Sequence, residues 1–81
     1  MRHVVYIARG PRGALRIGRG GCEGKGRPGR SYRLVYFEAF GVVGDAISRE
    51  RQLKSWARQW QDELVERANP GWRDLSGTLC A

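Results

Sequence analysis

The chain reads as a small α/β domain of the α+β kind, and three observations predict it. Two short apolar runs flank a Gly-Pro-Arg-Gly turn near the N-terminus. An aromatic-rich strand pattern spans Tyr32 to Phe40. A helical pattern without Pro or Gly then runs from Ala46 to Ala68. At 81 residues there is room for one domain, placed at 1–75, with 76–81 as a flexible tail. A chain of this length buries only about 60–65% of its unfolded surface, so each large apolar residue counts.

The elements follow in order. Val4-Val5-Tyr6-Ile7-Ala8 is rich in β-branched residues and predicts a strand. Gly10-Pro11-Arg12-Gly13 is a turn signal. In Ala14-Leu15-Arg16-Ile17-Gly18, Leu15 and Ile17 share one face and Arg16 takes the other, which predicts a second strand and hence a hairpin. Gly18 to Gly29 is Gly-rich with no regular period, and reads as a loop whose backbone amides and arginines suit phosphate. Gly24-Lys25-Gly26 lacks the Ser/Thr and spacing of a phosphate-binding Walker loop. Gly41 to Gly44 reads as a turn and Asp45 as the helix N-cap. Ala46, Leu53, Ala57, Trp60 and Leu64 fall at helical spacing and are expected to face the core. An unbroken helix to Ala68 would exceed the size of the globule, so a break is expected near Trp56–Trp60. Asn69-Pro70-Gly71 ends the helix, and Trp72 is expected to fold back as a core plug. Core packing is favoured over base stacking for Trp56, Trp60 and Trp72.

Charge points outward. The chain carries +7, unevenly spread. Residues 1–33 hold nine basic side chains against Glu23 alone, a net of +8, whereas 34–81 hold six basic and seven acidic ones, a net of −1. Eight of the nine N-terminal cations are arginines, whose planar forks match phosphate. Such a field attracts polyanions, so DNA or RNA is the expected partner. Arg9, Arg12, Arg19, Lys25, Arg27 and Arg30 are the candidate backbone contacts. No apolar run reaches membrane-span length and the N-terminus lacks a signal-peptide pattern, so a cytoplasmic, non-membrane protein is expected. A disulfide between Cys22 and Cys80 is possible, but two free thiols are favoured, and with the single His3 they make no zinc pattern.

Glu50 is the odd carboxylate. It lies on or beside the apolar stripe of Ala46, Ile47, Leu53 and Ala57, where losing hydration calls for compensation. A divalent cation is one compensator, because hard cations prefer oxygen. Arg49, Arg51 and Lys54 are the other, and spacing alone favours this plain ion-pair reading. Glu38 is expected in a strand-end salt bridge.

Three segments resemble the GIY-YIG nuclease family, specifically its small single-domain bacterial members. Leu34-Val35-Tyr36-Phe37-Glu38 is similar to the family's LVYYE strand. Ala46 to Trp56 (AISRERQLKSW) is similar to its AxxREKQLKxW helix. Asn69 to Leu75 (NPGWRDL) is similar to its NPxWxDL ending. Val4-Val5-Tyr6 takes the GIY place. Arg16-Ile17-Gly18 takes the YIG place, with arginine where the family has tyrosine. The family's next helix, which carries a catalytic arginine, has no counterpart in the Gly-rich stretch before the third strand.

The resemblance implies a three-stranded antiparallel sheet with helices packed around it. It implies cleavage of DNA phosphodiesters with one divalent cation, Mg²⁺ or Mn²⁺. By position, Glu50 would bind that metal and Tyr6 would position or deprotonate the attacking water. Arg16 stands where a phenol is lost, and could favour the Tyr6 tyrosinate or clamp the phosphate. The expected function is therefore a divalent-metal-dependent DNA endonuclease with an incomplete catalytic set. The alternative is a catalytically inactive nucleic-acid-binding module on the same fold.

Overall fold

A computed structural model describes residues 3–20, 32–75 and 77. Strand β1 (His3–Arg9) is followed by β2 (Leu15–Gly20) and β3 (Arg33–Phe40), then helices α1 (Val43–Ser55) and α2 (Arg58–Ala68). The strands form one antiparallel sheet in the order β2-β1-β3. Placing β1 in the centre explains its unbroken apolar run: Val4 to Ala8 are all buried, because both faces of the sheet are covered there.

The β1–β2 turn closes with Gly10 N–H donating to Ala14 O (2.8 Å) and Gly13 N–H to Gly10 O (3.0 Å). Gly13 has φ +79°, a conformation that a side chain disfavours. Between β1 and β3 the register shifts at Ile7/Ala8, so that Ile7 faces Tyr36 and Ala8 faces Leu34. Val35 is thus the bulged residue. It packs with Ile7 and Val65 in one core cluster, together with Leu64 and Trp72. A second cluster joins Val5 to Ala46 and Leu53 of α1. The opposite face holds Tyr6, Ala8 and Leu34 under Tyr32, Phe37 and Leu75. There Leu75 N–H donates to Leu34 O (2.7 Å), tying the C-terminal segment to β3.

The helical half departs from expectation at three points. Helix α1 begins at Val43, with Val42 at the cap position and no side-chain cap; Asp45 sits in the first turn instead, where its charge meets the positive end of the helix dipole. The break falls at Trp56–Ala57, both with extended backbone (ψ 146° and 153°), inside the expected window. It resets the helical phase, so a periodicity carried through it fails. Ala46 and Leu53 are buried and Leu64 packs against the core, but Ala57 is exposed and Trp60 is 57% exposed. Gln61 bridges the break: its Nε2 donates to Leu53 O (2.8 Å) and Trp56 O (3.4 Å), satisfying carbonyls that the end of α1 leaves open.

The NPGW segment is a staple. Buried Asn69 donates from Nδ2 to Val35 O (3.1 Å) and Arg73 O (2.9 Å), and its Oδ1 accepts from Arg73 N–H (3.1 Å). Trp72 adopts φ +51°. It folds back, half-buried, onto the Ile7–Val35–Val65 cluster, and its Nε1–H donates to Glu66 (2.9 Å).

Candidate active site

The register sets the site. Tyr6 lies directly opposite Gly18, and Arg16 lies opposite Ala8. Arg16 therefore shares the Tyr6 face, on the diagonal rather than directly beside it. The Tyr6 ring extends over Gly18, toward the β2 side of the sheet. A Cβ at residue 18 would stand 2.7 Å from the phenol oxygen, so the glycine is required by the tyrosine. The Arg16 guanidinium is 6.0 Å from the ring centre of Tyr32.

Helix α1 delivers two adjacent charges to the other face. Arg49 donates to both carboxylate oxygens of Glu38 (2.9 and 3.0 Å) on β3. Glu50 accepts from Arg19 Nε (2.7 Å) on β2 and pairs with Lys54 (3.0 Å) one turn on. Arg19 and Glu38 both lie opposite Val5, so the two ion pairs anchor on one cross-strand row. Tyr36 donates to Glu38, completing that cluster.

Burial works to raise the Glu50 carboxyl pKa, but hydrogen bonds from Lys54 and Arg19 outweigh it and hold it below the ordinary carboxylate range. The same contest lowers Glu38: burial opposes, while Arg49 and then Tyr36 prevail. Tyr36 is pushed up to about 12, by burial and by its bond to Glu38. Burial also raises the Tyr6 phenol; Arg16 pulls it back, Glu50 adds to the rise and Lys54 opposes. Tyr6 is therefore a protonated hydrogen-bond donor at neutral pH, and needs more positive charge nearby to act as a base.

Arg16 and Glu50 each act on the Tyr6 phenol, although β1, β2 and α1 supply the three residues separately. Arg19 joins them as the partner of Glu50, a role no sequence pattern signalled. The remaining candidates disperse. Arg9 lies at the far end of β1, 5.4 Å from the Trp72 ring centre, and Arg12 is exposed in the hairpin turn. Lys25, Arg27 and Arg30 lie outside the described residues, as do Cys22 and Cys80.

A divalent cation fits this site in one way. Among the described residues no group of three or more His, Cys, Asp or Glu side chains could hold a metal. Among the described residues Glu50 is the acidic side chain at the Tyr6 edge, and both its oxygens hold cations. Mg²⁺ is commonly bound through one or two carboxylates, with water and substrate phosphate completing the shell. Glu50 suits that mode once Arg19 and Lys54 turn away; both are substantially exposed and free to do so.

Comparison with known proteins supports the architecture. The solved structure of a UPF0213 protein from Bacillus halodurans, determined in solution by NMR, matches 91% of this chain and 93% of its own, with a TM-score of 0.70 and 25% identity. Its fold is that of this chain: a three-stranded antiparallel sheet with two helices packed against it. No family model matches the sequence, and no curated protein does. Among the described residues no helix is long and apolar enough to cross a membrane.

Proposed function

We propose that this chain is a GIY-YIG-type domain that hydrolyses DNA phosphodiesters with a divalent cation, Mg²⁺ or Mn²⁺, held at Glu50. One observation carries the reading. Three residues at the motif positions meet on β2: Tyr6 extends over Gly18, Arg16 shares the Tyr6 face, and Glu50 is tied to Arg19 of the same strand.

A bound cation would neutralise phosphoryl charge and lower the pKa of a coordinated water. The chain's own residues have distinct tasks. Tyr6, kept protonated, donates a hydrogen bond and orients water or phosphate. Arg16 offers a planar fork to a phosphate oxygen pair. Arg19 and Lys54 neutralise Glu50 while the site is empty, and turn to the backbone phosphates when DNA arrives. The test is nicking of supercoiled plasmid with Mg²⁺ or Mn²⁺, comparing the wild type with Glu50→Ala. Nicking that vanishes in the variant supports the enzyme; equal nicking by both refutes Glu50 as its centre.

A second reading is a nucleic-acid-binding module without catalysis, on DNA or RNA. The observation favouring it is that both Glu50 oxygens are engaged by cations, beside an arginine where the motif has its second tyrosine. Salt-sensitive retardation of DNA without nicking would establish this reading over the first.

A further inference from the structure

We infer that Arg9 and Arg33 form a phosphate-binding subsite for a polynucleotide backbone, separate from the Tyr6–Arg16–Glu50 edge. The two residues lie directly opposite each other across β1 and β3. Like charges so placed repel, and a sheet normally avoids them. Neither has a carboxylate partner among the described residues. The four ion pairs found there are Arg19–Glu50, Arg49–Glu38, Lys54–Glu50 and Arg58–Asp62. The pair instead lines a cleft of about 260 Å³ with Gly10 and Pro11, ample room for a phosphate group.

The surroundings prepare this cleft for an anion. Arg9 is stacked on Trp72, whose ring is fixed by its bond to Glu66. The stacked guanidinium is held in place with its hydrogen-bonding edge still available. Gly10 gives the cleft a bare backbone wall, backed by the Tyr32 ring 3.0 Å from where its Cβ would be. A phosphate between the two guanidiniums would turn a repulsive pair into a bidentate clamp.

A polynucleotide is favoured over a small anion by charge. The +7 chain charge favours an extended polyanion. The inference rests on the reading of this chain as acting on nucleic acid, but not on cleavage.

Fluorescence anisotropy of a labelled duplex oligonucleotide, titrated across salt concentrations, tests it. The Arg9→Gln/Arg33→Gln protein should bind about tenfold more weakly at low salt. Its log–log salt slope should be shallower by roughly two, one for each lost phosphate contact. Arg67→Gln, an exposed cation on α2, should behave as wild type. Wild-type affinity and slope in the double variant would overturn the subsite, as would absence of DNA binding by the wild type. NMR titration of the arginine Nε–H signals with inorganic phosphate separates the sources. If free phosphate saturates the cleft as tightly as the oligonucleotide does, the polynucleotide assignment fails. Glu50→Ala should keep the full salt slope while losing nicking. Failure of the subsite and failure of the nuclease reading therefore show in different variants.

Discussion

The phenol oxygen of Tyr6 lies 2.7 Å from the point where a side chain on Gly18 would begin, and its Cζ lies 2.9 Å away. The two residues are cross-strand partners, so the absence of a side chain on one sets the direction of the other. The space above Gly18 lets the Tyr6 ring extend toward the edge where Glu50 and Lys54 affect its ionisation.

Gly18→Ala should therefore disturb Tyr6 first. The added methyl must displace the ring or the backbone, at a cost of ~1–3 kcal/mol for overpacking. Urea unfolding should show this loss, and the Tyr6 ring signals should shift more than those of Tyr32. Unchanged stability with unshifted Tyr6 signals would mean that the ring is not held over Gly18.

Glu38 should confer acid sensitivity. Burial works against it, but Arg49 and Tyr36 hold its folded-state pKa below the ordinary carboxylate value, so its contribution is fully present above that ordinary value and lost as pH falls through the lowered pKa. Glu38→Gln removes charge-assisted bonds to Arg49 and should cost ~1.5–3 kcal/mol at pH 7. The gap between wild type and variant should narrow as pH falls below the ordinary carboxylate range, and close once Glu38 is protonated in the folded protein. Denaturant unfolding across pH measures it, and a gap independent of pH would refute the assignment.

Asn69→Ala should be among the more damaging single changes outside the apolar core. It removes three hydrogen bonds and leaves the buried Val35 carbonyl without that donor. A loss of about 2–4 kcal/mol is expected, read as a drop in Tm. Asn69→Asp should not rescue it, because a carboxylate cannot donate to Val35 O.

Arg19→Ala/Lys54→Ala should expose Glu50 to cations. Without its two counter-charges the carboxyl pKa should rise, and Mn²⁺ should broaden the NMR signals around residue 50 at lower concentration than in the wild type. Broadening at the same Mn²⁺ concentration in both proteins would show that these side chains do not screen the site. The readout needs no turnover.

The sequence carried the sheet and the motif positions more clearly than the contacts that organise them. The apolar run in β1, the alternation in β2 and the aromatics of β3 are local patterns, and they predict the strands because burial acts residue by residue. Glu38 and Glu50 stood out as carboxylates needing partners. Their partners on other elements, Arg49 and Arg19, depend on how α1 lies across the sheet, which no period encodes. The break at Trp56–Ala57 has no Pro or Gly to announce it and is satisfied by a side chain, Gln61, from the following helix. Trp60, at core spacing in an unbroken helix, faces solvent for that reason. The Arg9–Arg33 pair is likewise a product of the bulge at Val35, one residue that resets which side chains oppose each other.

The two ion pairs of α1 have a consequence for its orientation. Along the row through Val5, the sheet presents a cation on one edge strand and an anion on the other. Helix α1 answers with the opposite signs on consecutive residues. Turn the helix end for end, and Arg49 meets Arg19 while Glu50 meets Glu38. Apolar contacts among Val5, Ala46 and Leu53 would tolerate either orientation, since methyl groups have no polarity. The charges give α1 a compass bearing, and Glu50 arrives at the Tyr6 edge because that bearing is fixed.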